Sequence, residues 1–193
     1  MPRTRRAMES DDEIRIAVAG IRSRGRSHIE GFRKLANVRV VALCDVDSNV
    51  LDREVSQFEK RGEKVDGVAD FRELLDRKDL HAVSLATPNH WHALQTVWAC
   101  EAGLDVYVEK PVSHGFHEGE LMIEAARKNK RVVQTGTQSR SSQAIREAIE
   151  WMHAGNLGPI KLARGFCYKP RKSIGKVTGP QAIPEGLDYD LWT

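Results

Sequence analysis

A chain of 193 residues has room for one complete domain and part of another. Its 30 basic and 27 acidic residues, a net charge of +3, are mixed along the length, without the basic stripe of a nucleic-acid binder. Apolar residues make up 40% and charged residues 30%. No run approaches the roughly 18 consecutive apolar residues of a membrane span, so a globular protein is expected, with neither nucleic acid nor membrane as partner.

Cys44, Cys100 and Cys167 are widely spaced among apolar neighbours. That pattern suits reduced, packed thiols in a cytoplasmic protein better than a disulfide framework or a metal knuckle. The basic cluster Arg3, Arg5 and Arg6 is followed by Glu9, Asp11, Asp12 and Glu13 instead of an apolar stretch. Residues 1–12 therefore read as a disordered, solvated tail and not as an export signal.

Residues 14–19 form a short apolar run closing on Gly20, and residues 26–35 carry Ile29, Phe32 and Leu35 at helical spacing, which predicts strand, tight turn and helix. Residues 38–44 are a second apolar run, rich in β-branched side chains and continuous enough for a strand buried on both faces. Ser48 is the predicted N-cap of a helix with Leu51, Val55 and Phe58 on one face and Gly62 at its end. Asp70 is placed to cap a short helix over 71–76. Residues 82–86 make another buried strand, and the helix after it is expected to turn Trp91, Leu94, Val97 and Trp98 inward before Gly103 stops it. A strand over 106–108, a helix over 121–129 and a strand over 132–135 continue the alternation. This rhythm predicts an α/β fold, a Rossmann doubly wound parallel sheet with right-handed crossovers, over 13–137. Beyond Gly136 the character changes. Residues 145–154 are amphipathic, and 160–168 alternate Ile160, Leu162, Phe166 and Tyr168 like a strand with one apolar face. Residues 138–193 are expected to be the incomplete start of a second α/β domain.

The opening strand feeds residues 20–25, Gly-Ile-Arg-Ser-Arg-Gly, a G-x-x-x-x-G turn where a dinucleotide fold places G-x-G-x-x-G. Gly20 permits the tight turn and Gly25 a close approach of helix to strand. The free N–H groups of the helix start, around Ser23, can receive a pyrophosphate. Arg22 stands in place of the middle glycine, and Arg22, Arg24 and Arg26 compensate through charge. By itself the loop fits either a phosphate cradle or an ordinary βα turn. Asp45, 20 residues after Gly25, ends the second strand, where an acid can accept hydrogen bonds from both adenosine ribose hydroxyls and repel a 2′-phosphate. NAD is therefore preferred over NADP; the alternative for Asp45 is a capping or turn aspartate.

Residues 86–93, Ala-Thr-Pro-Asn-His-Trp-His-Ala, follow a strand on the ligand edge of such a sheet. His90 and His92 lack an accompanying thiolate or carboxylate at ligand spacing, so no metal site is expected. Asn89 reads equally as a helix cap. At the next strand end comes Glu109-Lys110-Pro111. A lysine beside a nicotinamide can hydrogen-bond a substrate hydroxyl and stabilise a developing alkoxide, and a surface lysine in a turn fits the position as well.

The succession ATPNHWHA, VEKPV and VVQTGTQ resembles the Gfo/Idh/MocA family, the relatives of glucose-fructose oxidoreductase and inositol dehydrogenase, over residues from about 14 to 192. The resemblance implies an N-terminal Rossmann domain, a C-terminal α/β domain with an open sheet, and hydride transfer between bound NAD(H) or NADP(H) and a small-molecule sugar, polyol or derivative. It gives Lys110 the place of the catalytic lysine, Glu109 a place by the nicotinamide ribose, and Thr87, Pro88, Asn89 and His92 the cofactor-contacting loop. Gln138 and Trp192 match less closely. The chain departs from the family at Arg22 and stops before the family's D-x-x-x-H element, whose histidine accepts or donates the substrate proton. An incomplete gene or internal stop is the expectation, with a fragment that binds cofactor weakly and turns over nothing, and a homo-oligomeric full-length form. Two other readings stand beside it: an NAD-dependent glycoside hydrolase working by transient oxidation, and a non-catalytic NAD-binding module.

Overall fold

The computed structural model describes residues 13–193, so the tail expected over 1–12 lies outside the described residues. The apolar runs, together with the short segment 66–68 that no apolar run announced, become parallel strands β1 (Ile14–Ala19), β2 (Val38–Cys44), β3 (Asp66–Val68), β4 (Ala82–Leu85), β5 (Asp105–Glu109) and β6 (Val133–Gly136), in the order β3-β2-β1-β4-β5-β6. Between them run helices α1 (Arg24–Phe32), α2 (Ser48–Lys60), α3 (Phe71–Leu75), α4 (His92–Glu101) and α5 (Phe116–Lys128). The inner strands β1, β2 and β4 are mostly apolar because both faces are covered, whereas the edge strand β3 is not. Ala17, Ala19, Val83, Leu85 and Val108 pack with Ala93, Ala99 and Met122 of α4 and α5 on one side. Ile16, Val18, Val40 and Leu43 pack with Ile29, Val50 and Phe58 of α1 and α2 on the other. Each large side chain so buried contributes about 1.5–3 kcal/mol. The chain winds from β1 outward to β3, then crosses back to β4 on the opposite side. The loops after β1 and β4 thus diverge, which leaves a crevice at the carboxyl edge of the sheet.

Several local expectations are corrected. The N-cap of α2 is Asp47 and not Ser48: the Asp47 carboxylate accepts the N–H groups of Asn49 at 3.0 Å and Val50 at 3.3 Å. Asp47→Ala is expected to lower stability by about 1 kcal/mol in urea unfolding. The sheet-facing side of α4 carries Ala93, Thr96, Ala99 and Cys100, whereas Leu94 is exposed and Val97 and Trp98 lie at the margin. Small residues let α4 lie close against the sheet, so bulk is displaced to its edges. Leu35 falls beyond the end of α1 and is exposed. Cys44 and Cys100 are buried, but Cys167 is exposed and not a packed thiol.

The described residues form two compact units: one runs to Gly136 and takes in Pro184–Thr193, and the other is Thr137–Ile183. The second unit contains the amphipathic helix α6 (Gln143–His153), as the sequence pattern predicts, followed by irregular chain. The strand expected over 160–168 is not formed. Among the described residues no strand pairs with it, and Ile160, Leu162, Phe166 and Tyr168 are exposed. Alternation supplies a face, but a strand also requires a partner for its N–H and C=O groups. Segment Pro184–Thr193, read from the sequence as part of the second domain, instead belongs with the sheet, bridging to it at Asp47 and Leu187 and ending in a single helical turn, α7 (Tyr189–Trp192). Among the described residues no helix is long and apolar enough to cross a membrane.

Candidate functional site

The crevice at the carboxyl edge is a cavity of about 640 Å³, within the roughly 300–1,000 Å³ of small-molecule sites. Gly20 from the end of β1, Asp45 from β2, Ala69 after β3, and Ala86, Thr87 and Pro88 after β4 line it. Strand order alone accounts for this convergence, because these four strands are neighbours whose carboxyl ends point the same way.

The turn after β1 tolerates only glycine at its two fixed positions. Gly20 has φ +75°, and a Cβ there would stand 2.5 Å from the Ala86 carbonyl and the Thr87 nitrogen. A Cβ on Gly25 would overlap the Gly20 carbonyl oxygen. The turn is also tied to the neighbouring strand. Gly20 N–H donates to the Cys44 carbonyl at 2.9 Å, and Ile21 N–H donates to Asp45 Oδ2 at 2.9 Å. Asp45 Oδ1 accepts the Asp47 N–H at 3.1 Å. Burial pushes the Asp45 carboxyl above its ordinary range, against the downward pull of these two backbone N–H groups. Each carboxylate oxygen keeps a further lone pair, so Asp45 holds the turn and still presents acceptors to the cavity it lines.

Of the three arginines in the turn and helix start, Arg22 lines the cavity, together with Ser23. Arg24 Nε donates to Glu109 Oε1 at 2.7 Å, and Arg26 pairs with Glu54. The charge compensation expected from all three thus rests on Arg22, the others being directed at carboxylates of the protein.

Glu109 is buried at the end of β5. Burial raises its carboxyl, but the hydrogen bonds from Arg24 and His28 outweigh that and hold it below the ordinary glutamate range. His28 Nε2 lies 3.0 Å from Glu109 Oε1, and His28 Nδ1 lies 2.8 Å from the hydroxyl of fully buried Ser84. One neutral tautomer satisfies the set: Nε2–H donates to the carboxylate and Nδ1 accepts from Ser84. Burial correspondingly pushes His28 below its ordinary value, with Glu109 opposing. Sequence reasoning missed His28. The available signal was its spacing, four residues after Arg24 on the inner face of α1.

Lys110 is exposed at the carboxyl end of β5, on the same rim of the sheet as Asp45. Its backbone N–H donates to Glu109 Oε2 at 3.3 Å, and the Lys110–Pro111 peptide is cis. His92 is buried, with Nε2 2.9 Å from the Thr87 carbonyl and Nδ1 2.6 Å from the Pro111 carbonyl, so it ties the loop after β4 to the loop after β5. Thr87 Oγ1 donates to Gln95 at 2.7 Å. Asn89 is exposed and opens the 3-10 turn Asn89–Trp91 without capping it. Gln138 lies in the second unit, at the start of the 3-10 helix Gln138–Ser141.

A family described as "Oxidoreductase family, NAD-binding Rossmann fold" matches residues 14–137. Among solved structures, myo-inositol 2-dehydrogenase from Lactobacillus plantarum is similar with a TM-score of 0.70 and 26% identity, over 77% of this chain and 43% of that one. The WlbA dehydrogenase from Chromobacterium violaceum, solved with NADH and UDP-GlcNAcA, is similar with a TM-score of 0.69 and 27% identity, over 78% and 42%. Among curated proteins, the alpha-N-acetylgalactosaminidase of Shewanella oneidensis is 32% identical over 123 residues, 61% of this chain and 27% of that protein. A glycosyl hydrolase family 109 protein of Shewanella baltica is 31% identical over 125 residues, 62% and 27%. The chain thus spans about a quarter of the length of these curated relatives.

Proposed function

Since this chain belongs to the Gfo/Idh/MocA oxidoreductases, whose matching domain is an NAD-binding Rossmann fold, we propose that its sheet unit holds NAD in the carboxyl-edge cavity and that the complete protein dehydrogenates a sugar, polyol or derivative. The observation that carries the reading is the glycine turn of residues 20–25, clasped by the Asp45 carboxylate. In this reading Gly20, Arg22, Ser23 and Gly25 take the pyrophosphate, and Asp45 takes the adenosine ribose. Thr87, Pro88, Asn89 and His92 form the loop beside the nicotinamide half. NAD supplies the hydride acceptor. Lys110 donates a hydrogen bond to the substrate hydroxyl oxygen and stabilises the negative charge that develops on it as a base, the role the resemblance gives to the histidine of the D-x-x-x-H element, takes its proton. That charge is spent in forming the carbonyl as the hydride is given up to NAD. Glu109, turned inward onto Arg24 and His28, fixes the backbone that carries Lys110. The substrate class is supported by the inositol and nucleotide-sugar dehydrogenases among the structural neighbours.

Titration calorimetry with NAD and NADP tests the cofactor assignment. Binding of NAD with weaker binding of NADP is expected, and Asp45→Asn narrows the difference by about tenfold, or ~1.4 kcal/mol, by removing the charge that opposes a 2′-phosphate. Absence of heat with either nucleotide would overturn the proposal.

The glycosidase relatives favour a second reading for the complete protein, glycoside cleavage through transient oxidation at the same cofactor. The two separate on absorbance at the reduced-nicotinamide band. A dehydrogenase accumulates NADH in step with product, whereas the glycosidase releases sugar with no net change.

A further inference from the structure

We infer that residues 184–193 form a third side of the dinucleotide cavity and grip the adenosine half of the cofactor. The inference rests on the cofactor reading above and names a part of the site that lies outside the family match, which covers residues 14–137.

The segment is fastened to two rims of the crevice. On the Asp45 side, Ser48 N–H donates to the Gly186 carbonyl at 2.9 Å, Asn49 Nδ2 donates to the Glu185 carbonyl at 2.8 Å, and Asp188 N–H donates to the Val46 carbonyl at 2.9 Å. On the Thr87 side, Trp91 Nε1 donates to the Trp192 carbonyl at 3.0 Å. The anchoring loops follow β2 and β4, the strands that flank β1, so the segment straps the space in front of the Gly20 turn. Leu187, Leu191 and Trp192 line the cavity. Each keeps part of its apolar surface open, Trp192 being 39% exposed.

The lining chemistry fits a flat base with its ribose, and the position of the strap decides which half that is. Besides the strap, the flat or apolar side chains Phe71, Trp91 and Trp98 border the same space. Four carboxylates also line it, Asp45, Asp47, Asp70 and Asp190, against two guanidinium groups, Arg22 and Arg72. Arg72 and Asp70 pair with each other at 2.6 Å, which leaves three carboxylates against Arg22. Away from the Gly20 turn and Arg22, where the phosphates go, the carboxylates accept hydroxyl and amino donors, while the aromatic and branched side chains suit a flat base with weakly hydrated faces. Both demands are met by a base with its ribose, and Asp45 on the same wall is the proposed acceptor for the adenosine ribose. The strap's antiparallel bridge at Leu187 falls on Asp47, two residues from the proposed ribose acceptor, so the Leu187 end of the strap lies on the adenosine side.

The test compares NAD with AMP, which carries only the adenosine half. In calorimetry the double variant Leu187→Ala/Leu191→Ala is expected to lose affinity for both nucleotides by the same factor, about tenfold. Asn49→Ala lies outside the cavity and only unfastens the strap at Glu185. It is expected to lower both affinities about threefold with the far-UV circular dichroism of the wild type, which keeps the test independent of any folding defect in the double variant. A loss for NAD without a loss for AMP, or no loss for either, overturns the inference. Wild-type protein that binds neither nucleotide overturns the cofactor reading itself.

Discussion

Gly25→Ala is expected to abolish NAD binding and to lower the stability of the sheet unit by about 2–4 kcal/mol, a drop in melting midpoint of roughly 5–15 °C. The added Cβ would overlap the Gly20 carbonyl oxygen. That atom is backbone, held by a turn whose own N–H is bonded to β2, so the collision is not relieved by a side-chain rotation. Either α1 lifts from β1, exposing Ile29, or the turn opens and loses the Asp45 clasp. Gly20→Ala adds a conformational penalty to a similar collision, because φ +75° is strained for any residue with a Cβ. Gly31→Ala is the internal comparison. It lies in α1 with nothing within 4 Å of the new Cβ, and the better helix former is expected to add about 0.5–1 kcal/mol. Urea unfolding of the three variants, with calorimetry against NAD, checks the set. A Gly25→Ala protein that melts and binds like the wild type would show that the turn does not hold the site.

The parts legible in the sequence are those where a local pattern and a tertiary demand coincide. The runs containing Ile16, Val40 and Val83 are continuous because a doubly wound sheet is covered on both faces, and the Gly20, Gly25 and Asp45 spacing reports the turn geometry directly. What could not be read is what depends on distance or on partners. Strand β3 has no apolar run, since an edge strand of three residues needs only the ladder with β2. Helical periodicity favoured the large residues of α4, whereas close packing selected Ala93, Thr96 and Ala99. Asp47 and Ser48 are both good caps, and only the extended backbone at Asp47, φ −99° and ψ 105°, decides between them. The alternation at 160–168 carries no information on a pairing partner. The link from His28 to Glu109 spans 81 residues, and that from Asn49 to Glu185 spans 136, separations that no local window reports.

Glu109→Ala is expected to cost about 3 kcal/mol and to change how stability depends on pH. The carboxylate is the shared acceptor of Arg24 and His28, and its removal leaves the buried His28 N–H without a partner while freeing the first residue of α1. In the wild type His28 stays neutral to a lower pH than in the unfolded chain, because burial disfavours its cation more than Glu109 favours it. The unfolded state therefore binds more protons just below pH 6.5, and the histidine's contribution, complete above that value, is lost as the pH falls through the window beneath it. Glu109 acts with the same sign lower down: its carboxyl is held below 4.5, so its contribution is complete above 4.5 and is lost on further acidification. His28→Gln separates the two. A glutamine can donate to Glu109 and accept from Ser84, so stability at neutral pH falls by only about 1 kcal/mol, while the loss in the upper window disappears and that in the lower window remains. Urea midpoints of the three proteins measured from about pH 2.5 to 8 check this; wild-type and His28→Gln profiles that run parallel through the upper window would remove His28 from the account and leave Arg24 as the group that keeps Glu109 ionised.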